Sequence, residues 1–272
     1  MNRFPDFIII GAMKCATSTL HDQLARQPGF FMSDPKEPCF FSNDEVYERG
    51  LDTYTSLFTS ADADAICGES STHYTTLPTY PHILERMRRH VPSTNMIYVM
   101  RHPIDRLVSQ YMHEWSENTV PGFIEKAVEE CPRLVDYSCY AKQLHPNLDT
   151  YGPDHILPVF SERFRTHPQA ELERICRFIG YQPSPHWHDD RDGRNTSAGR
   201  LRDSALRNAI VWNRGVTWLR RRFIPQSRRD AVNRIWQMKH RPQLSDSIRA
   251  QLARVFDQDL STLGSWLGVE LN

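Results

Sequence analysis

The sequence lacks the long apolar runs, the paired cysteines and the net charge that mark several classes of protein. No stretch approaches the roughly 20 apolar residues of a membrane span. Only four consecutive apolar residues, 7–10, lie near the N-terminus, too few for the core of a signal peptide. The 33 basic and 33 acidic side chains balance, which argues against a bulk polyanion binder. We therefore expect a cytoplasmic protein with no transmembrane segment and no nucleic-acid partner.

The six cysteines form no C-x-x-C pair. Neither they nor the histidines stand at the spacing of a metal site. Reduced thiols are the usual state of such cysteines in the cytoplasm. The sequence therefore predicts neither a disulfide framework nor a bound metal.

Three short apolar runs predict buried strands at 7–10, 96–100 and 156–160, because a strand covered on both faces is apolar throughout. Helical periodicity follows each run, at 17–26, 104–115 and 169–179. This alternation predicts an α/β fold with a central parallel sheet flanked by helices, which binds ligands at the carboxyl ends of its strands. Pro158 weakens the third strand or places it at a sheet edge.

The strand signals stop near residue 200, and helical stretches follow at 201–222, 229–239 and 245–267. The sequence shows no internal repeat and no low-complexity linker. We therefore predict one domain over 1–272, with an α/β core over 1–200 and a helical C-terminal part over 201–272.

The neutral total hides a basic segment at 200–241, which holds 12 basic and 2 acidic side chains. One interpretation is a solvated helix face. The other is a surface that attracts an anionic acceptor, an anionic cofactor or, by peripheral contact, an anionic membrane.

A loop after the first predicted strand has the features of an anion site. The loop joins a strand to a helix, so backbone N–H groups and the positive helix end face the same point. Lysine is scarce, at 5 of the 33 basic residues, yet Lys14 falls in this loop, three residues before Thr17 instead of beside the helix as in a Walker A loop. An ordinary turn with a solvated lysine remains the alternative. The candidate anion-binding residues are Lys14, Cys15, Ala16, Thr17, Ser18 and Thr19.

Four motifs in the same order resemble those of sulfotransferases that use 3′-phosphoadenosine 5′-phosphosulfate (PAPS). The loop at 11–19, called the phosphate loop below, is the first, and residues 101–111 match R-x-P-x-x-R-x-x-S-x-Y. Residues 36–41 are similar to K-E-x-H-F-F of the heparan-sulfate group and its bacterial relatives, and 68–74 to G-E-x-S-x-x-Y. Residues 140–180 also follow the family pattern. The resemblance implies a single α/β domain with the P-loop-like sulfotransferase fold.

The resemblance also implies roles for individual residues. Glu37 becomes the candidate general base for an acceptor hydroxyl, with His73, just past a strand-like segment at 65–68, as the alternative base. Lys14 stabilises the leaving phosphate, and no metal is needed. Arg101 and Ser109 bind the 3′-phosphate of PAPS. A polar loop supplies further nucleotide contacts or is simply a surface loop; its candidates are Arg194, Asn195 and Arg200.

Three residues differ from those of the heparan-sulfate group and argue against heparan sulfate as the acceptor. Cys39, Ser18 and Ser70 stand where that group has a histidine, an arginine and a catalytic lysine. We expect a hydroxylated acceptor that is a saccharide, a glycolipid or a small metabolite. The aromatic residues that line its cleft would come from Tyr74, Trp115, Tyr140 and Trp187, although buried aromatics usually belong to the core. Two other functions stay open: a P-loop-type nucleotide kinase or phosphotransferase, and a non-catalytic nucleotide-binding protein.

Overall fold

The computed structural model describes residues 3–189 and 241–271. Its five strands form one sheet in the order β2-β3-β1-β4-β5, and all neighbouring strands are parallel. The strands are β1 (Phe7–Gly11), β2 (Phe30–Met32), β3 (Ile66–Ser70), β4 (Asn95–Met100) and β5 (Ile156–Phe160).

Helices precede, connect and follow these strands. They are α1 (Thr17–Ala25), α2 (Asp44–Tyr47), α3 (Leu51–Thr55), α4 (Ile83–His90), α5 (Pro103–Ser116), α6 (Ile124–Glu130), α7 (Arg133–Asp136), α8 (Tyr140–Tyr151), α9 (Arg163–Thr166), α10 (Pro168–Ile179) and α11 (Asp246–Leu267). Short 3-10 helices span Ser56–Phe58, Thr72–Thr75 and Pro153–His155. Within the described ranges, no helix is both long and apolar enough to cross a lipid bilayer.

The predicted α/β class and parallel sheet are confirmed, as are the three strands at the predicted positions. The final predicted helix, at 245–267, is confirmed as α11. The predicted helices at 201–222 and 229–239 lie outside the described residues. Pro158 lies in β5, an edge strand of the sheet. An edge strand tolerates the missing N–H of proline because only one of its sides pairs with a neighbour.

The described residues fall into two compact units. The first comprises 3–106, 136–189 and 254–271 and contains the whole sheet. The second comprises 107–135 and 241–253. The prediction of a single domain over 1–272 stays a prediction.

The core of the first unit is built around the central strand β1, all of whose residues are buried. Its apolar run packs under helices whose buried faces are apolar, as on α10 with Leu172, Ile175 and Ile179. Burial of each such aliphatic side chain contributes roughly 2 kcal/mol. The sheet is thereby a rigid base for the loops at its carboxyl edge.

The C-terminal helix α11 is hydrogen-bonded to the start of α8. Asp259 on α11 accepts hydrogen bonds from the backbone N–H groups of Ala141 (2.8 Å) and Lys142 (3.1 Å). A carboxylate there satisfies N–H groups that have no acceptor within α8. The start of α8, with Tyr140, is therefore fixed from the C-terminal end of the chain.

Candidate active site

Loops that carry the predicted site residues leave the same edge of the sheet. Strand β1 lies between β3 and β4, and parallel strands end at a common edge. The phosphate loop follows β1, residues 71–74 follow β3, and Arg101 follows β4. The structure thus gathers three of the four motif segments at adjoining strand ends.

The phosphate loop has a backbone that suits an anion. Lys14 (φ 70°) and Ala16 (φ 65°) are both left-handed, and such residues in a turn point successive N–H groups into a concave surface. The first helical bond of α1 runs from the Leu20 N–H to the Ala16 carbonyl, so the N–H groups of residues 17–19 precede it. These N–H groups and the positive end of α1 are donors of the kind that bind an anion, and the predicted role of residues 14–19 stays a prediction.

Gly11 closes the strand before this loop because no larger residue fits. A Cβ at this position would lie 2.0 Å from Thr75 Oγ1, while the Thr75 hydroxyl donates to the Ile10 carbonyl (3.0 Å).

Cys15 is fully buried, and burial raises its pKa to about 11. Its thiol is therefore neutral at physiological pH and serves packing.

Tyr140 holds the backbone of Arg101 with one hydroxyl. Its Oη accepts a hydrogen bond from the Arg101 N–H (3.2 Å) and donates one to the Arg101 carbonyl (2.6 Å). The same oxygen lies 3.6 Å from Cys15 Sγ. Tyr140 thereby joins the phosphate loop to the residue that is predicted to bind the 3′-phosphate.

Two residues of the Arg101 motif are buried in different units. Arg106 is 0% exposed, and its Nε donates to Ser138 Oγ (2.7 Å), which makes it a structural residue of the first unit. Ser109 lies on α5 in the second unit and is buried there. Its predicted role toward the 3′-phosphate stays a prediction.

The segment that carries Glu37 is pinned to the end of β3 at every second residue. The N–H of Glu37 donates to the Ser70 carbonyl (2.9 Å), and that of Cys39 to Ser71 Oγ (3.0 Å). The N–H of Phe41 donates to Tyr74 Oη (3.3 Å). Glu37 and Cys39 have φ values of 60° and 53°, and these uncommon left-handed conformations persist only where such contacts enforce them.

A buried carboxylate organises this anchor. Glu69 accepts hydrogen bonds from the hydroxyls of Tyr54 and Ser71, the latter at 2.5 Å. Burial raises the pKa of Glu69 in spite of these bonds. Gly68 precedes it because a Cβ there would lie 2.3 Å from the Phe7 ring. Glu69, Ser71 and Tyr74 of the G-E-x-S-x-x-Y motif therefore support the Glu37 segment, a role that the sequence did not reveal although the motif itself was the available signal.

Glu37 is half-buried, and both of its carboxylate oxygens are engaged. Oε1 pairs with Lys36 Nζ at 2.6 Å, and Oε2 accepts from the Thr72 hydroxyl at 3.0 Å. Burial raises the pKa of Glu37, but the Lys36 charge and the two hydrogen bonds outweigh burial, so the pKa lies below its ordinary value of 4.5. Glu37 is thus ionised at neutral pH and able to accept a proton.

His73, the alternative base, lies in the 3-10 helix after β3 and stacks on Tyr80 with ring centroids 4.8 Å apart. Burial lowers its pKa below the ordinary 6.5, against the attraction of the Glu37 charge. His73 is therefore neutral at physiological pH and lies within electrostatic reach of Glu37. The two predicted bases belong to one cluster.

Of the two readings of the aromatic residues, acceptor cleft or core, the structure supports the core for the two tyrosines. Tyr74 and Tyr140 are each 1% exposed, because their hydroxyls hold backbone groups of the site and their rings pack in the core. Trp187 is half-buried and stacks on Phe164 (5.6 Å), and Trp115 lies in the second unit. Arg194, Asn195 and Arg200 lie outside the described residues.

Comparisons with known proteins agree with this architecture. A model of the sulfotransferase family matches residues 38–185, a range that begins one residue after Glu37 and includes Arg101. Human heparan sulfate glucosamine 3-O-sulfotransferase 6 is 31% identical over 186 residues, which cover 65% of this chain and 53% of that protein. Human bifunctional heparan sulfate N-deacetylase/N-sulfotransferase 2 is 26% identical over 203 residues, covering 67% of this chain and 22% of that protein. The chain thus spans about half or less of the length of these relatives.

A sulfotransferase from Alicyclobacillus acidocaldarius superposes with a TM-score of 0.70 at 21% sequence identity. The superposition covers 99% of this chain and 98% of that chain. The two chains share their fold.

Proposed function

Because the chain belongs to the sulfotransferase family, we propose that it transfers a sulfuryl group from PAPS to a hydroxyl group of an acceptor. The observation that carries the proposal is the position of Glu37. Its N–H is hydrogen-bonded to the Ser70 carbonyl at the end of β3, and β3 lies next to β1, which leads into the phosphate loop. The pKa of its carboxyl lies below the ordinary value, so the group is ionised at neutral pH. We assign the whole chain, 1–272, to one sulfotransferase domain on this basis.

The residues present fit a nucleotide that carries one anionic group at its 5′ position and another at its 3′ position. The left-handed loop, the start of α1 and Lys14 provide one anion pocket after β1. Arg101 follows the neighbouring strand β4 and provides a guanidinium, which binds phosphate in a bidentate manner. PAPS, when bound, supplies the activated sulfuryl group.

The chain's own residues divide the chemistry between a cation and a base. Lys14 neutralises the charge that develops on the leaving phosphate, which is the step where a positioned cation is most effective. The Glu37 carboxylate accepts the proton of the acceptor hydroxyl. Glu37 lies on the loop after β2 and is hydrogen-bonded to the end of β3, and β3 is the neighbour of β1, whose loop carries Lys14.

His73 is the second candidate for the base, because it is neutral, half-buried and within electrostatic reach of Glu37. For the acceptor we propose a saccharide, a glycolipid or a small hydroxylated metabolite. The names of the two human relatives specify heparan sulfate, which supports a saccharide, and the 3-O-sulfotransferase among them supports transfer to an oxygen. Arg194, Asn195 and Arg200 remain proposed nucleotide contacts.

The direct test is to incubate the purified protein with PAPS and a panel of hydroxylated sugars, glycolipids and phenols. Mass spectrometry then measures sulfated acceptors, and chromatography measures the product nucleotide, adenosine 3′,5′-bisphosphate (PAP). A parallel set contains ATP and Mg²⁺ in place of PAPS. We expect sulfated product in the first set alone. Phosphorylated product in the second set would show a kinase, and binding of PAP without any turnover would show a nucleotide-binding protein.

A further inference from the structure

His21 lies one helical turn after the start of α1, and its side chain is buried against the end of β3. It is 7% exposed, and its Nδ1 lies 2.8 Å from Ser70 Oγ. Ser70 is itself 0% exposed. A buried histidine costs free energy that a leucine would not, because its polar nitrogens leave water. A histidine at this position therefore requires a reason.

Ser70 links this histidine to the proposed base. Its hydroxyl contacts His21, while its carbonyl accepts the N–H of Glu37 (2.9 Å). Two residues further on, the Thr72 hydroxyl donates to the Glu37 carboxylate. A path of direct contacts therefore runs from α1 through the end of β3 to both the backbone and the side chain of Glu37.

His21 is kept neutral in this position. Burial lowers its pKa to about 4, and the Lys36 charge acts in the same direction, against the opposing charges of Asp22, Glu37 and Asp34. A neutral imidazole has one donor and one acceptor nitrogen, so it pairs with a hydroxyl without adding a positive charge beside the ion pair of Lys36 and Glu37.

We propose that His21 is a positioning residue, which through Ser70 fixes Glu37 relative to the helix that begins at the phosphate loop. The proposal rests on the proposed function, because it names how that site aligns its base with the nucleotide pocket. Such alignment matters since a proton acceptor has to be held within about 0.5 Å of its productive place.

Four variants test this role: His21→Leu, His21→Asn, Ser70→Ala and the His21→Leu/Ser70→Ala double variant. Asparagine places a polar group where Nδ1 lies, so it tests rescue by a conservative change. The matched control is His155→Leu, a half-buried histidine whose Nδ1 lies 3.3 Å from Asn95 Oδ1 at the start of β4, at the opposite edge of the sheet. Turnover of PAPS to PAP and the affinity for PAP are measured for each.

We expect His21→Leu and Ser70→Ala each to lower kcat about tenfold while PAP affinity stays within about twofold. The double variant falls no further, because the two residues act as a unit, and His21→Asn recovers most of the rate. A kcat equal to the wild type overturns the proposal, as does an equal loss of kcat and PAP affinity, which would indicate a general packing defect.

Amide hydrogen exchange provides a readout that needs no turnover. The N–H of Glu37, which donates to Ser70, is expected to exchange about tenfold faster in His21→Leu. The N–H of Ser71, which donates to the Ile9 carbonyl (3.1 Å), is expected to keep its rate. An inactive wild type with this exchange pattern refutes the proposed function and leaves the positioning role standing. An active wild type with unchanged Glu37 exchange refutes the positioning role alone.

Discussion

Two glutamates, one in β3 and one hydrogen-bonded to its end, show how single residues set the chemistry of the site. Glu37 is half-buried and Glu69 is fully buried, and burial acts to raise the pKa of each. Lys36 lies 2.6 Å from Glu37 and reverses the outcome there, whereas Glu69 is bound by hydroxyl groups. The lysine before the glutamate is therefore the main group that lowers the pKa of the proposed base.

Replacement of Lys36 by methionine is expected to move the acidic limb of the pH profile. A general base acts in its deprotonated form, so wild-type kcat falls only below the ordinary glutamate pKa of 4.5. Without the Lys36 charge, burial dominates and the pKa of Glu37 rises. The acidic limb in Lys36→Met then lies at higher pH, and kcat measured from acidic to neutral pH checks this. An unmoved limb would separate Lys36 from the base.

The second residue-scale prediction concerns Arg101. PAP and adenosine 5′-monophosphate differ only in the 3′-phosphate, so their relative affinity isolates that pocket. Removing a charge-assisted contact costs about 1.5–3 kcal/mol, so Arg101→Ala should lose about tenfold or more in PAP affinity and little in affinity for the monophosphate. Calorimetry measures both, with Arg89→Ala, an exposed arginine paired to Glu85, as the control. An equal loss for both nucleotides would place Arg101 elsewhere in the site.

At the scale of elements, helix α8 braces the strand ends through its first residue. Its N-terminus is capped by Asp259, and its Tyr140 hydroxyl makes two hydrogen bonds to Arg101. Because one oxygen serves both bonds and also contacts Cys15, loss of that oxygen should loosen Arg101 without emptying the core.

Tyr140→Phe is therefore expected to weaken PAP binding about tenfold, as follows from the loss of roughly 1–2 kcal/mol in buried hydrogen bonds. Tyr151→Phe is the matched control on the same helix, since the Tyr151 hydroxyl is buried and has no partner among the described residues. Titration with PAP and thermal unfolding of both variants check the prediction. Equal PAP affinity in the two variants would contradict it.

The elements that the sequence predicts are those with a simple pattern. Strands β1, β4 and β5 are apolar runs, and their positions are confirmed. Strand β2 has only three residues, too few for a recognisable pattern. The end of β3 carries Glu69 and Ser70, which are buried in a hydrogen-bond network, so it does not resemble a buried strand. The polar supports of Glu37 are contacts between residues 32 to 35 positions apart, and the G-E-x-S-x-x-Y motif marks these residues without specifying their partners.

At the scale of the whole molecule, the uneven charge predicts a salt dependence. Residues 1–199 carry 19 basic and 27 acidic side chains, while residues 200–241 carry 12 and 2. If the basic segment attracts anionic substrates, kcat/KM should fall several-fold between about 50 mM and 500 mM salt as the field is screened, with kcat nearly constant. Initial rates over this range check it. A kcat/KM independent of salt would indicate a solvated helix face.

The central claim is that the ionised Glu37 carboxylate takes the proton from the hydroxyl of the acceptor at a PAPS site. The most direct measurement compares sulfuryl transfer from labelled PAPS by the wild type, Glu37→Gln and His73→Gln, together with their PAP affinities. The account predicts that Glu37→Gln loses about a hundredfold or more in turnover while PAP affinity is retained, and that His73→Gln keeps most of its activity. Turnover of Glu37→Gln within a few-fold of the wild type would contradict the account, and loss of turnover in His73→Gln would transfer the role to His73.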